Sequence, residues 1–150
     1  MKVLENKIPP PIVMSIIGAA MVSTSFFAQN TPHPAQIGIG SAIIFAGFSL
    51  AGLGVREFRK SKTTINPVMV DSAVVLVTSG VFRRTRNPMY LGFAVMLVGL
   101  AIALRNPLAF VGPLAFFLYI NKFQIGPEER AMERRFGAAY KEYKQTVRRW

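Results

Sequence analysis

Residues 8–55 read IPPPIVMSIIGAAMVSTSFFAQNTPHPAQIGIGSAIIFAGFSLAGLGV and contain no Asp, Glu, Lys or Arg. A helix needs about 20 predominantly apolar residues to cross a bilayer whose hydrocarbon core is about 30 Å thick. The uncharged run is therefore long enough for two membrane-spanning helices. The polar stretch at residues 29–34 divides it, because its two prolines remove backbone donors and favour a turn.

Two more apolar segments follow in the second half of the chain. Arg105-Asn106-Pro107 separates them, which predicts a tight turn and an antiparallel hairpin. The 150-residue chain is therefore expected to be one domain, residues 1–150, of the all-α class. We expect an integral membrane helical bundle with about four transmembrane helices and a cytoplasmic amphipathic C-terminal helix. The predicted spans are residues 10–28, 35–55, 88–104 and 107–123.

The 18 Lys and Arg residues, against seven Asp and Glu, are segregated along the chain. Seven lie within residues 56–86, eight lie from Lys122 onward and two precede the first span, which leaves Arg105 alone for the opposite side. The positive-inside rule then puts both termini and the long middle loop in the cytoplasm, with the chain in the cytoplasmic membrane if it is bacterial. The basic excess is expected to contact anionic lipid headgroups.

The composition excludes several kinds of site. With no cysteine, neither a disulfide scaffold nor a cysteine-ligated zinc site is possible, and we expect no metal. The basic residues flank membrane spans without interleaved aromatics, which argues against a nucleic-acid partner. Small residues four positions apart predict close helix packing at two pairs, Ala19 with Ser23 and Gly47 with Ala51.

Two polar and aromatic segments flank the predicted hairpin. Residues 76–92 read LVTSGVFRRTRNPMYLG and residues 126–143 read GPEERAMERRFGAAYKEY. Singly, their features are typical of structure: Asn87-Pro88 and Pro127-Glu128-Glu129 both suit the start of a helix. One apolar stripe of an amphipathic helix is predicted from Met132, Phe136, Tyr140, Tyr143, Val147 and Trp150.

In their order, these motifs resemble the isoprenylcysteine carboxyl methyltransferase family and, more broadly, the integral-membrane methyltransferases that include phospholipid N-methyltransferases. The resemblance covers roughly residues 56–150. Its most specific parts are RNPMYLG at residues 86–92, and Glu128 with Phe136-Gly137. It implies a site for S-adenosylmethionine, with S-adenosylhomocysteine as product, between the cytoplasmic segments 74–92 and 124–150.

The resemblance also implies roles for single residues. Gln124 stands where eukaryotic members place an Arg that contacts the prenylcysteine substrate, and Asn87 replaces the His of the family box, so it does not titrate near neutral pH. The implied catalytic residues are Arg86, Asn87 and Tyr90. The implied cofactor contacts are Val74, Val75, Leu76, Val77, Phe82, Asn87, Pro88, Met89, Tyr90, Glu128 and Tyr140.

The implied reaction moves a methyl group to a small or lipid-like acceptor in the membrane. Such a displacement depends mainly on the alignment of donor and acceptor. No His or Cys is predicted on the cytoplasmic side, so we expect an acceptor that is already nucleophilic: a carboxylate, a thiolate or an amine. Three alternatives stay open: a phospholipid amine N-methyltransferase, an NADPH-dependent enzyme of the sterol-reductase type, and a non-enzymatic membrane protein whose cytoplasmic helix docks a partner.

Overall fold

The computed structural model describes residues 8–27, 33–61 and 75–150, and these residues form only helices and the turns between them. The all-α prediction is confirmed over that part of the chain. Short 3-10 turns precede the third helix at Gly80–Arg83 and the fourth at Pro107–Phe110, and a π turn spans Asn121–Ile125. The α-helices are α1 (Pro10–Phe27), α2 (Pro34–Lys60), α3 (Pro88–Leu104), α4 (Val111–Ile120), α5 (Gly126–Phe136) and α6 (Ala138–Thr146).

Two helices extend beyond the residues predicted to span the membrane. α2 continues past residue 55 to Lys60, because Arg59 and Lys60 in its last turn interact favourably with the negative end of the helix dipole. The fourth helical stretch does not end at residue 123 but continues through the π turn to Phe136. Two stretches, Pro34–Lys60 and Pro107–Phe136, are long and apolar enough to cross a membrane, while α1 and α3 are shorter apolar helices.

The backbones of α2 and α3 approach each other closely at two pairs of glycines. A Cβ atom added to Gly47 would lie 2.6 Å from the carbonyl oxygen of Gly92, and one added to Gly40 would lie 2.6 Å from that of Gly99. No ordinary side chain fits at such distances, so these glycines allow a contact that any larger residue would prevent. The close packing holds the start of α3 beside the end of α2.

The predicted small-residue pairs differ in outcome. Gly47 and Ala51 are buried against α3, which confirms the prediction for α2. Ala19 and Ser23 are exposed, so the prediction for α1 is wrong. The reason is that α1 turns a different face to the bundle, the one that carries Met21.

The turn between α3 and α4 confirms the predicted hairpin. Arg105 adopts the left-handed conformation with φ of 51°, which reverses the chain after α3. Asn106 then caps the next turn, since its Oδ1 accepts a hydrogen bond of 3.0 Å from the N–H of Leu108. The start of α3 and the end of the α4 stretch therefore lie at the same end of the bundle.

The predicted single amphipathic helix is divided into α5 and α6. Gly137, with φ of 53°, ends α5 because this conformation favours glycine over other residues. Three residues of the predicted stripe, Tyr140, Tyr143 and Val147, form a buried cluster against which Leu76, Met132 and Phe136 pack. Trp150 lies apart from it, with its ring 4.9 Å from that of Phe117 on α4.

Candidate active site

Tyr90 and Glu128 meet where the start of α3 faces α5. Tyr90 lies in the first turn of α3, is 7% exposed, and donates a hydrogen bond of 2.5 Å from its Oη to Oε1 of Glu128. The corner at residues 87–90 and the first turn of α5 are therefore in direct contact. The two polar segments recognised in the sequence form one site.

The π turn determines which way the acidic residues of α5 point. The N–H of Gly126 donates to the carbonyl of Asn121, five residues earlier, instead of the usual four. Pro127 has no N–H to continue the α pattern, and its ring excludes the carbonyl four residues before it, which explains the wider turn. Pro127-Glu128-Glu129 therefore does not begin a separate helix, as the sequence suggested, but follows a register shift inside a continuous one.

Glu128 has an unusual proton affinity. Burial raises its pKa to about 8, and the neighbouring charge of Glu129 raises it as well, although the hydrogen bond from Tyr90 acts in the opposite direction. The residue as a whole is half-buried. A carboxylate placed in this way is stabilised as the anion when a cation binds beside it.

Glu129 has a different environment from its neighbour. Its Oε1 accepts hydrogen bonds of 2.8 Å from Nη2 of Arg86 and 3.1 Å from Nε of Arg149, and its Oε2 accepts one of 2.5 Å from Nη2 of Arg149. Burial alone would raise the pKa of Glu129, but the hydrogen bonds and charges of Arg149 and Arg86 outweigh burial and hold it below its ordinary value. Glu129 is therefore ionised at neutral pH.

Residues 85–87 bind the backbone at the end of the chain. The N–H of Arg86 donates to the carbonyl of Arg148 at 3.0 Å. The carbonyl of Arg149 accepts from Oγ1 of Thr85 at 3.1 Å and from Nδ2 of Asn87 at 2.9 Å. Asn87 stands at the N-cap of α3 but makes no capping bond with its side chain, which corrects the interpretation of Asn87 as a cap. The side-chain amide of Asn87 instead binds the backbone of the last residues of the sequence, which are called the tail below.

Three more contacts secure the same tail. The guanidinium group of Arg86 donates to the carbonyl of Lys144 at 3.2 Å and to that of Val147. Nε1 of Trp150 donates to Oδ1 of Asn121 at 3.1 Å. The last residues are thus fastened to the start of α3 and to the π turn, the two places that present Tyr90 and Glu128.

An apolar wall adjoins these polar contacts. Tyr140 packs with Leu76 and with Tyr143, whose Oη donates a hydrogen bond of 2.6 Å to the carbonyl of Phe82. Phe82 is buried and its ring meets that of Phe58 edge to face at 5.3 Å. Burial raises the pKa of Tyr143 to about 12 and raises that of Tyr140 further. The phenol groups of Tyr140 and Tyr143 therefore stay neutral. Each contributes an apolar ring surface and one polar oxygen atom.

The other predicted cofactor contacts are distributed around this wall. Val74 lies outside the described residues. Val75 is 45% exposed, whereas Val77 is 5% exposed. Pro88 is fully buried at the start of α3, and Met89 packs against the bundle core. The structure thus brings most of the predicted residues to one end of the bundle.

Gln124, the predicted substrate contact, is completely buried. Its Nε2 donates a hydrogen bond of 2.7 Å to the carbonyl of Ile8, just before α1. Its Oε1 has no hydrogen-bond partner among the described residues. Gln124 therefore links α1 to the π turn, and its contact with an acceptor stays a prediction.

Sequence reasoning missed Glu129, Thr85 and Arg149. The Glu-Glu doublet was visible, but only its first member fits the family motif. Thr85 acts through the backbone carbonyl of Arg149, and Arg149 also binds Glu129 through its guanidinium group; neither contact has a sequence signature.

Comparison with known proteins adds an independent result. Residues 35–139 match the phospholipid methyltransferase family. A probable protein-S-isoprenylcysteine O-methyltransferase of Oryza sativa is 33% identical over 112 residues, which cover 73% of this chain and 57% of that protein. Protein-S-isoprenylcysteine O-methyltransferase B of Arabidopsis thaliana is 31% identical over 125 residues, 81% of this chain and 62% of that protein.

A shorter relative covers the chain only in part. An uncharacterized protein of Haemophilus influenzae is 47% identical over 62 residues, 41% of this chain and 98% of that protein. This chain spans somewhat more than half the length of the two plant methyltransferases. No solved structure matches the chain.

Proposed function

The chain belongs to the phospholipid methyltransferase family, and from that membership we propose that it transfers a methyl group from S-adenosylmethionine to a lipid-like acceptor at the cytoplasmic face of a membrane. The resemblance to isoprenylcysteine carboxyl methyltransferases, inferred from the motifs of the second half, is confirmed by several relatives that carry that name. A methyltransferase rather than a reductase or a docking protein is the class that this membership favours.

The pair formed by Tyr90 and Glu128 is the observation that carries the proposal. When bound, S-adenosylmethionine supplies the methyl group and leaves as a neutral sulfide. The residues present fit such a cationic ligand, because Glu128 offers a desolvated carboxylate whose ionised form a cation stabilises. Tyr90 holds one carboxylate oxygen in place, so that the other can face the ligand.

The surrounding residues supply orientation and exclude water. Leu76 and Tyr140 offer an apolar surface suited to a flat aromatic base. Arg86 and Asn87 bind the tail that covers the start of α3, so we assign their predicted catalytic roles to closing the site. In such a reaction, fixed geometry between donor and acceptor supplies much of the rate, roughly 7–11 kcal/mol in well-oriented cases.

We also propose four membrane passes with the site on the cytoplasmic side. The start of α1 and the end of the α4 stretch are joined by the contact of Gln124 with Ile8, and the end of α2 is joined to the segment before α3 by Glu57, which accepts a 2.5 Å hydrogen bond from Ser79. These termini share one end of the bundle, where the basic residues concentrate. The positive-inside rule then favours the cytoplasm for that end.

Two acceptor classes are in question. The plant relatives are named for isoprenylcysteine, which presents a carboxylate. A phospholipid amine is favoured by a specific observation: two arginines beside the site, Arg86 and Arg149, are both paired with Glu129. A carboxylate acceptor would have to compete with Glu129 for them, whereas an amine would not.

The proposal is tested on the full chain in detergent or lipid nanodiscs. S-adenosylhomocysteine should raise the melting temperature, and NADPH should not. Methyl-labelled S-adenosylmethionine, offered with a prenylcysteine analogue or with phosphatidylethanolamine, should label one of the two. Glu128→Gln should abolish the labelling while the protein stays folded. A thermal shift with NADPH alone would support the reductase alternative, and no shift with either ligand would support the docking protein.

A further inference from the structure

Glu128 and Glu129 are adjacent in sequence but have opposite kinds of partner. Glu128 accepts one hydrogen bond, from the neutral phenol of Tyr90. Glu129 accepts three hydrogen bonds from two guanidinium groups, those of Arg86 and Arg149. Within the part of the chain that the structure describes, the first carboxylate thus has no cationic partner, while the next holds two cations.

The side chains that Glu129 holds are unequally accessible to water. That of Arg86 is 9% exposed and that of Glu129 is 11% exposed, whereas that of Arg149 is 41% exposed. A guanidinium group as buried as that of Arg86 must be neutralised by protein, because solvent cannot screen it. Without Glu129, two positive charges would remain next to the carboxylate that the proposed function assigns to a cationic ligand.

The negative charge of Glu129 also reaches Glu128 directly. It is one of the causes that raise the pKa of Glu128, so the two carboxylates interact electrostatically. Neutralising Glu129 would therefore shift the potential at Glu128 in the positive direction, because the anion that offsets the charges of Arg86 and Arg149 is removed.

We propose that Glu129 is a positioning residue that makes the site discriminate by charge: it confines both guanidinium groups to the tail side of α5 and preserves a negative potential at Glu128. The inference rests on the proposed function. S-adenosylmethionine carries one positive charge more than S-adenosylhomocysteine. The potential that Glu129 maintains therefore favours the methyl donor over the spent product, which helps the product to leave.

Binding of both molecules to the purified full chain, measured by equilibrium dialysis, tests this role. Glu129→Gln should weaken the binding of S-adenosylmethionine about tenfold more than that of S-adenosylhomocysteine, by the Coulomb effect of one unit charge at short range. Arg149→Gln alone should change the ratio of the two affinities in the opposite direction. The double variant should return the ratio toward that of the unaltered protein, because one cation and one anion are removed together.

A merely structural role would give another pattern. Equal loss of both ligands in Glu129→Gln, or an unchanged ratio in Arg149→Gln, would overturn the proposal. Because Arg149 is half exposed, its substitution keeps the test usable if Glu129→Gln fails to fold. Glu129→Asp, which shortens the side chain but keeps its charge, should retain the original ratio. Failure of the unaltered protein to bind either molecule would count against the proposed function instead.

Discussion

Oη of Tyr90 lies 2.5 Å from Oε1 of Glu128, across 38 positions of sequence. This hydrogen bond joins the first turn of α3 to the first turn of α5. The first of these turns lies on α3, and the second lies on the continuous stretch from α4 to α5. The opposite ends of these two stretches meet at the turn around Arg105. The hairpin is therefore closed at both ends, covalently at one and by a phenol–carboxylate contact at the other.

Tyr90→Phe should remove this contact without leaving a cavity. We expect the affinity for S-adenosylmethionine to fall roughly ten- to hundredfold, the range for a hydrogen bond to a charged group. Isothermal titration calorimetry measures the loss. Tyr119→Phe is the matched control, because the buried hydroxyl of Tyr119 has no hydrogen-bond partner among the described residues. Equal affinities of the two variants would contradict the assignment of Tyr90.

The stability of the ligand-free protein should fall as the pH rises from about 4.5 to about 8 and then level off. The pKa of Glu128 is raised from 4.5 to about 8 by burial, so the folded protein holds this proton more tightly than the unfolded chain. The resulting stability is fully present below the unfolded pKa and is lost as the pH rises through the folded pKa. Melting curves of Glu128→Gln should show a smaller decrease over this interval. Parallel curves for both proteins would refute the raised pKa.

Ligand binding should have the opposite pH dependence. Since a cation stabilises the ionised carboxylate, binding of S-adenosylmethionine below the pKa of about 8 must displace a proton from Glu128. The affinity should therefore increase with pH up to that value and then level off. Calorimetry in buffers of different ionisation enthalpy measures the released proton directly. A proton count of zero at neutral pH would be inconsistent with this mechanism.

Gly47→Ala should destabilise the bundle, whereas Gly52→Ala should be tolerated. A methyl group at Gly47 would lie 2.6 Å from the carbonyl oxygen of Gly92, while one at Gly52 would meet nothing within 4 Å. Overpacking of a tight contact costs about 1–3 kcal/mol. Thermal unfolding in nanodiscs compares the two variants, which make the same chemical change on one helix. Similar melting temperatures would show that α2 and α3 are less closely packed.

Asn87→Asp should loosen the tail without harming α3. A carboxylate cannot donate to the carbonyl of Arg149 as Nδ2 of Asn87 does at 2.9 Å, although it suits the positive end of the helix. Trp150 is the single tryptophan of the chain, and its quenching by acrylamide should increase. Gln145→Glu, the same change of charge at an exposed position of α6, is the control. Quenching that increases equally in both would attribute the effect to charge alone.

The helices were predictable from sequence wherever apolar composition and breakers decide them. α3 agrees at both ends because Pro88 starts it and the Arg105 turn ends it. The end of α2 was missed because Arg59 and Lys60 were assigned to a loop, although charged residues often complete the last turn of a membrane helix. The π turn was missed because its cause, Pro127, is equally typical of a helix start.

The candidate site was predictable only in part. Tyr90 and Glu128 were recognised through a family motif, and the structure brings them into hydrogen-bond contact. The motif gave no indication that Asn87 binds a backbone carbonyl or that Glu129 forms ion pairs with two arginines. Contacts of these kinds depend on which segments meet in space. The spacing of residues along one sequence does not reveal which segments come into contact.

The π turn at Asn121–Ile125 makes this helix one residue longer than a regular α-helix of the same rise would be. If the same residues formed a regular α-helix through this segment, everything downstream would be turned by about 100° around the helix axis. Both carboxylates would then point away from the tyrosine and the arginines that they now serve. The chain thus keeps these contacts by tolerating a local irregularity, and the same residues in a regular helix would lose them.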